Sequence, residues 1–300
     1  MMNDTIAGRS PRPLDGSISE LGESPVWDER RQALFWCDIL GRKVHWYVPE
    51  TGLRQKHAFP DKVGCIGLCE SGKLVVACGL DVLLFCPDSR DVRKLGAIPN
   101  PSGEPCRSND GRIGPDGAFW IGTMHDVPLS EMQPLAALWR VTVEGAEVIQ
   151  EGLTCANGLA FSRDGSEMWH SDSVQKWVRR REFDPATGRY GEGEILCRPT
   201  AETGRPDGGA LDVAATYWSA GVSAGVINAY DRTGATVETI PLPVPHPTMP
   251  CFGGPDFKTL FVTTHRQKLS DEQLERHSWS GMVLSVEMDT PGFPPFRFPL

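Results

Sequence analysis

The sequence has no apolar run near the ~18 residues that a membrane-spanning helix needs, and it has no basic excess. Lys plus Arg number 30 against 39 Asp plus Glu, a net charge of −9 over 300 residues. An acidic chain without a basic stripe is poorly suited to nucleic acid or to an anionic lipid surface, since both are held through Lys and Arg. Met1 to Glu20 is polar and broken by proline, so a secretory apolar segment is missing there. Nine cysteines is an odd count without framework spacing. The expectation is mostly buried, reduced thiols in a cytoplasmic protein, with no nucleic acid, membrane or obligate protein partner. Gly-His pairs are absent, and Trp27-Asp28 is the one Trp-Asp pair, which argues against tandem WD repeats.

Turn formers are abundant instead. Gly 32 and Pro 25 together make nearly a fifth of the chain, against about 12% in average usage. Such a composition argues against a helical bundle, whose interior both residues weaken. Hydrophobic residues at 40% suffice for a sizeable core.

An internal repeat organises the chain. Each unit has an apolar strand, a turn and a second strand rich in aromatic or β-branched residues. The fourth reads Asn157-Gly-Leu-Ala-Phe, the turn Ser162-Arg-Asp-Gly165, then Glu167-Met-Trp-His-Ser-Asp172. The third reads Asn109-Asp-Gly-Arg-Ile, Gly114-Pro-Asp-Gly117, then Ala118-Phe-Trp-Ile-Gly-Thr123. Further copies centre on Ser24 to Trp36, Glu70 to Ala77, Asp207 to Ser219 and Gly254 to Thr263, and their turns recur every 41 to 50 residues. Several units continue into a third and fourth strand. Four short antiparallel strands per ~45 residues is the period of a β-propeller blade, and six fill the chain. The fold expected is all-β, a six-bladed β-propeller spanning 1–300 as one domain, with residues 1–16 a polar N-terminal extension. An irregular β-sandwich is the competing reading. One short helix is expected, Asp271 to Arg276, capped by Ser270 with Gln273 completing a capping box.

Aligning the units about eight residues before the end of the first turn gives one equivalent position per blade: Glu23, Gly64, Asn109, Asn157, Asp207 and Met249. In a propeller these converge on one mouth of the central channel. Four of the six carry oxygen donors, which suits calcium, magnesium or manganese. A polar ring that merely lines a wet channel is the alternative.

Five motifs then resemble a known family. Leu21-Gly-Glu-Ser-Pro-Val-Trp27, Arg107-Ser-Asn-Asp-Gly111 with Gly122-Thr-Met124, Ala156-Asn-Gly-Leu-Ala160, Arg205-Pro-Asp-Gly208 and Cys251-Phe-Gly-Gly-Pro-Asp256 are similar to those of the senescence marker protein (regucalcin)/gluconolactonase/luciferin-regenerating family of six-bladed propellers. The resemblance implies one divalent metal held by Glu23, Asn157 and Asp207, and a substrate held by Arg107 and Asn109. It implies a gluconolactone-like sugar lactonase that opens an aldonolactone to its acid. A carboxylate touching a metal-bound water can act as general base, and Asp207 is assigned this role, as both ligand and base. Calcium is the metal expected, and zinc, manganese, magnesium or iron could use such oxygens. A non-catalytic calcium-binding regulatory propeller is the alternative function. After Gly-Thr-Met the chain carries His125-Asp126-Val127 where vertebrate relatives place two acids, so His125 and Asp126 are candidate pocket residues.

Other signals are read more plainly. Asp110, beside Gly111, is expected to make a turn hydrogen bond. His125 and His170 are placed near the same mouth, each as a packed or hydrogen-bonded histidine. Val222 and Ser223 are placed near a pocket lip. Gly221-Val-Ser-Ala-Gly225 matches a nucleophile pattern, but the following Val226 to Tyr230 reads as a strand, not the helix that an elbow requires. Cys65 and Cys69 are expected inside a blade.

Overall fold

A computed structural model describes residues 9–300. It is nearly all strand, in six antiparallel sheets arranged as the blades of a propeller. The innermost strands of blades 1 to 6 are Gly22–Asp28, Val63–Leu68, Cys106–Ile113, Ala156–Phe161, Arg205–Leu211 and Pro247–Gly253. Five blades have four strands; the fourth adds Arg189–Tyr190 beside Glu194–Cys197 on its third strand.

The repeat has a packing reason. One cluster of buried side chains lies between each pair of neighbouring blades. Val26, Phe35 and Trp46 of blade 1 meet Ile66, Val76 and Phe85 of blade 2. Trp169 and Val178 of blade 4 meet Leu211 and Tyr217 of blade 5, with Trp169 and Tyr217 stacked at 4.8 Å. Each blade therefore buries both faces, while the outermost strands such as Leu53–Ala58 and Val92–Ala97 stay largely exposed. Cys65 and Cys69 are buried together in the cluster between blades 2 and 3, and every cysteine among the described residues is free.

The first turns share one device. Gly72, Gly117 and Gly165 adopt positive φ, where the missing Cβ removes the steric cost. Blades 1, 5 and 6 have no glycine there, and Gln32, Ala215 and Phe257 take a similar conformation at φ 49°, 63° and 58°. The turn Val213 to Thr216 thus keeps the shared geometry with a strained residue. The helix Asp271–Arg276 carries the expected capping box from Ser270 and Gln273.

Closure of the ring uses both ends of the chain. Within the stretch 1–16 expected as an extension, residues 1–8 lie outside the described residues, and Arg12–Pro13 pairs with Leu284–Ser285 as the outer strand of blade 6. Proline is tolerated on such an edge because its missing N–H faces outward. Trp27 of blade 1 stacks on Phe261 of blade 6 at 5.8 Å.

The other end crosses the opposite mouth. Phe298 donates from its N–H to Leu68 O at 2.8 Å and accepts from Glu70 N at 2.9 Å. Phe293, Pro295 and Phe296 sit over the channel against Trp27, Phe161, Leu211 and Phe252. Arg297 pins this tail, with its guanidinium 2.8 Å from the Asp28 carboxylate, both side chains buried, and 2.9 Å from Glu29. Removing one partner of a buried pair leaves a charge unmatched, so Arg297→Ala is expected to cost about 3–5 kcal/mol. Urea denaturation checks this; a loss under ~1 kcal/mol would show that the tail is not held by this pair.

Candidate functional site

All six innermost strands break their ladder at or next to the aligned position. Register shifts occur between Glu23 and Val26, Val63 and Cys65, Ser108 and Gly111, Asn157 and Ala160, Pro206 and Gly209, and Pro247 and Met249. A bulge re-aims side chains at a sheet end, and here it does so in every blade at one mouth. Ser24, just after Glu23, is held at φ 48°, a strained conformation of the kind that clusters at functional sites. Two aligned positions carry no oxygen donor for reasons of space. A Cβ at Gly64 would lie 2.4 Å from the Ser108 carbonyl oxygen, and Met249 is buried against Gly208.

Glu23, Arg107, Asn109, Asp126, Asn157 and Asp207 line one cavity of about 530 Å³ at this mouth, within the size range of small-molecule sites. Val222 lines it too. His125 does not; Met124 and Asp126 on either side of it line the cavity, and His125 Nδ1 instead accepts from Gln133 N at 3.1 Å. His170 is buried away from the cavity, where its Nε2 accepts from Arg181 at 3.2 Å. Asp110 makes no local turn: it is buried, and its Oδ2 accepts from Leu159 N of the next blade at 2.8 Å. Arg112 donates to Leu159 O at 2.9 Å and Gly209 O at 2.8 Å, so these two side chains tie blades 3, 4 and 5 together.

A hydrogen-bond chain runs through the site. Arg107 donates to Asn109 Oδ1 at 2.9 Å. Asn109 Nδ2 donates to Asn157 Oδ1 at 3.0 Å and to Ala156 O at 3.1 Å. Asn157 Nδ2 donates to Ser173 Oγ at 2.7 Å, and Ser173 donates to Pro206 O at 2.6 Å, beside Asp207. The Asn157 carbonyl oxygen keeps a second lone pair. Asp126 lies 3.4 Å from Arg107 Nε and accepts from Lys62 Nζ at 2.6 Å.

The carboxylates are electrostatically frustrated. Burial, then the charges of Asp207 and Asp110, push Glu23 well above the ordinary carboxylate range. Burial and the charge of Asp110 push Asp207 up to about 7, against the pull of Arg205 and Arg107. Two acids held in this way on one cavity wall, beside the Asn157 amide oxygen, have the donor chemistry that a hard cation takes. Among the described residues no group of three or more His, Cys, Asp or Glu is arranged to hold a metal; the third donor here is an amide.

Sequence reasoning missed Ser173, Lys62 and Arg205. Lys62 and Arg205 stand two residues before the aligned positions of blades 2 and 5, as Arg107 does in blade 3, so the same alignment contained them. Ser173 had no such signal, because its role depends on a carbonyl of the neighbouring blade.

Comparison with known proteins gives a consistent picture. Residues 21–266 match the family described as the SMP-30/Gluconolactonase/LRE-like region. A 6-deoxy-6-sulfogluconolactonase of Pseudomonas putida is 36% identical over 298 residues, 97% of each chain. Regucalcin of Xenopus laevis is 28% identical over 284 residues, 93% of this chain and 95% of its own. The crystal structure of a calcium-binding protein, regucalcin, from Agrobacterium tumefaciens superposes with a TM-score of 0.90 at 26% identity, covering 98% of both chains.

Proposed function

Because the chain belongs to the SMP-30/gluconolactonase/LRE-like family, we propose that it is a divalent-metal-dependent lactonase that hydrolyses a gluconolactone-like aldonolactone to the aldonic acid. The observation that carries this reading is the meeting of Glu23, Asn157 and Asp207 with Arg107 on the wall of one cavity. Glu23, Asn157 and Asp207 would hold the ion, calcium in the first instance, which when bound polarises the lactone carbonyl and a water. Asp207 accepts a proton from the attacking water as general base. The water oxygen bonds to the carbonyl carbon, the ring C–O bond breaks, and the ring oxygen leaves as a hydroxyl carrying the proton that Asp207 took from the water. Arg107 presents its forked donors to substrate oxygens. Asn109 spends both ends of its amide on Arg107 and Asn157, so its part is to orient those two. Asp126, shared by Lys62 and Arg107, fixes the guanidinium.

A calcium-binding regulatory protein would need the same ion site, and the relatives named regucalcin favour that second reading. It leaves the roomy cavity and Arg107 without a task. Acid release from a panel of aldonolactones, set beside simple esters and phosphate triesters, separates the readings. Selective lactone turnover supports the proposal, and tight calcium binding without turnover overturns it.

The competing serine chemistry finds no support in the fold. Ser223 lies in a hairpin between the strands Tyr217–Val222 and Val226–Tyr230, with no helix to form an elbow. Ser223→Ala is expected to keep lactone turnover within about twofold of the parent. A loss of several orders of magnitude would reinstate a serine nucleophile.

A further inference from the structure

We propose that the cavity carries a subsite for an acidic group on the substrate, built by Arg205 with Lys268, His246 and His265. The preferred lactone then bears a sulfonate, phosphate or carboxylate on its carbon chain, away from the ring carbonyl. This inference rests on the lactonase reading of the same mouth.

The repeat places two tiers at the mouth. The aligned positions form an acidic and amide tier. Two residues earlier in each blade, at or next to the start of the innermost strand, stand Leu21, Lys62, Arg107, Cys155, Arg205 and Pro247. Three of these six are cations, in a chain whose net charge is −9. Lys62 and Arg107 share the Asp126 carboxylate. Arg205 has no ion pair among the described residues, and its Nε is buried without a hydrogen-bond partner. A buried guanidinium nitrogen left unpaired is costly, so an acceptor is expected in the working state.

The neighbours of Arg205 on the cavity wall point the same way. His246 and His265 line the cavity and stack at 4.3 Å, and the Nδ1 of each is also buried without a partner. Lys268 stands on the same wall, exposed and without an ion pair among the described residues. With Glu23 and Asp207 matched by a divalent ion and the single Asp126 carboxylate shared by Lys62 and Arg107, Arg205 and Lys268 are left without an ion-pair partner among the described residues. In a ring of six, blade 6 stands opposite blade 3, so His246, His265 and Lys268 face Arg107 across the cavity. An oxyanion is the ligand chemistry that such donors recognise.

The test compares gluconolactone with derivatives carrying sulfonate, phosphate or carboxylate on the terminal carbon, using calcium-loaded protein. An acidic lactone should have the higher kcat/KM, and which anion leads identifies the group. Arg205→Gln should lower kcat/KM for the acidic lactone about 10- to 100-fold more than for gluconolactone, chiefly through KM. Lys268→Gln, on the exposed rim, should shift the ratio in the same direction by less. Calorimetry with the corresponding acidic aldonate should show binding that weakens with salt and with Arg205→Gln. Equal losses for both lactones would overturn the subsite and leave the lactonase reading intact, since an arginine serving only Asp207 or the product carboxylate acts on both alike. If no lactone turns over, the lactonase reading fails and calorimetry decides the subsite alone: a larger loss of binding for the acidic aldonate than for gluconate in Arg205→Gln upholds it, and equal losses, or none, overturn it.

Discussion

Asp207→Asn is expected to lower lactone turnover about 10³-fold at saturating metal, the scale of losing a general base. The substitution keeps the shape of the side chain and one oxygen donor, so the cavity and the ladder around the bulge at Pro206–Gly209 should persist. What it removes is the capacity to accept a proton. Glu23→Gln provides the contrast. Glu23 is buried, and its Oε2 accepts from Ser24 N at 3.0 Å, so one of its oxygens is already engaged and its assigned part is to hold the ion. Its loss should appear as weaker metal affinity, with much of the turnover recovered by excess metal. Steady-state kinetics across a metal titration, with a melting curve for each variant, separates the two. Full rescue of Asp207→Asn by added metal would remove Asp207 from the proton-transfer step and leave it a ligand only.

The second large effect is on stability, and its sign follows from the site. In the metal-free fold Asp207 keeps a proton up to about pH 7, and Glu23 is shifted in the same direction. In the unfolded chain carboxyls ionise near pH 4. Between those limits the folded state binds more protons than the unfolded state, so the stability of the chelated protein falls as pH rises from about 4 to 7. Below that window both states are protonated and the contribution is fully present. Above it both are ionised and it is gone. A divalent ion replaces the protons, so metal affinity should rise up to about tenfold per pH unit for each proton displaced. Melting temperatures with calcium and with chelator should therefore diverge as pH rises from about 5 to 8, with little gap at the acid end. A gap that stays constant or shrinks with pH would show that the ion binds elsewhere.

The architecture was legible because a propeller writes itself repeatedly. Each blade needs the same turn and the same pair of buried faces, so Ser162 to Gly165 and Gly114 to Gly117 announced one another. The aligned positions were legible for the same reason, and the structure sets the bulges at them. What escaped was whatever depends on contacts between blades or on the chain ends. Asp110 looked like a turn residue beside Gly111, yet its partner is Leu159 in the next blade. His125 was placed at the pocket with Asp126, but His125 ends its strand bonded to Gln133 N, and only Asp126 lines the cavity. The tail from Phe293 to Phe298 follows no repeat, so its seat across the far mouth could not be read from periodicity.

The measurement that bears most directly on the central claim is acid release from gluconolactone by protein stripped with chelator and resupplied with single divalent metals. Turnover should vanish on stripping and return with calcium or another oxygen-seeking ion. In Glu23→Gln the return should need a higher metal concentration. Turnover that survives chelation unchanged, or that Glu23→Gln leaves untouched at every metal concentration, would contradict an ion at Glu23, Asn157 and Asp207 as the centre of the chemistry.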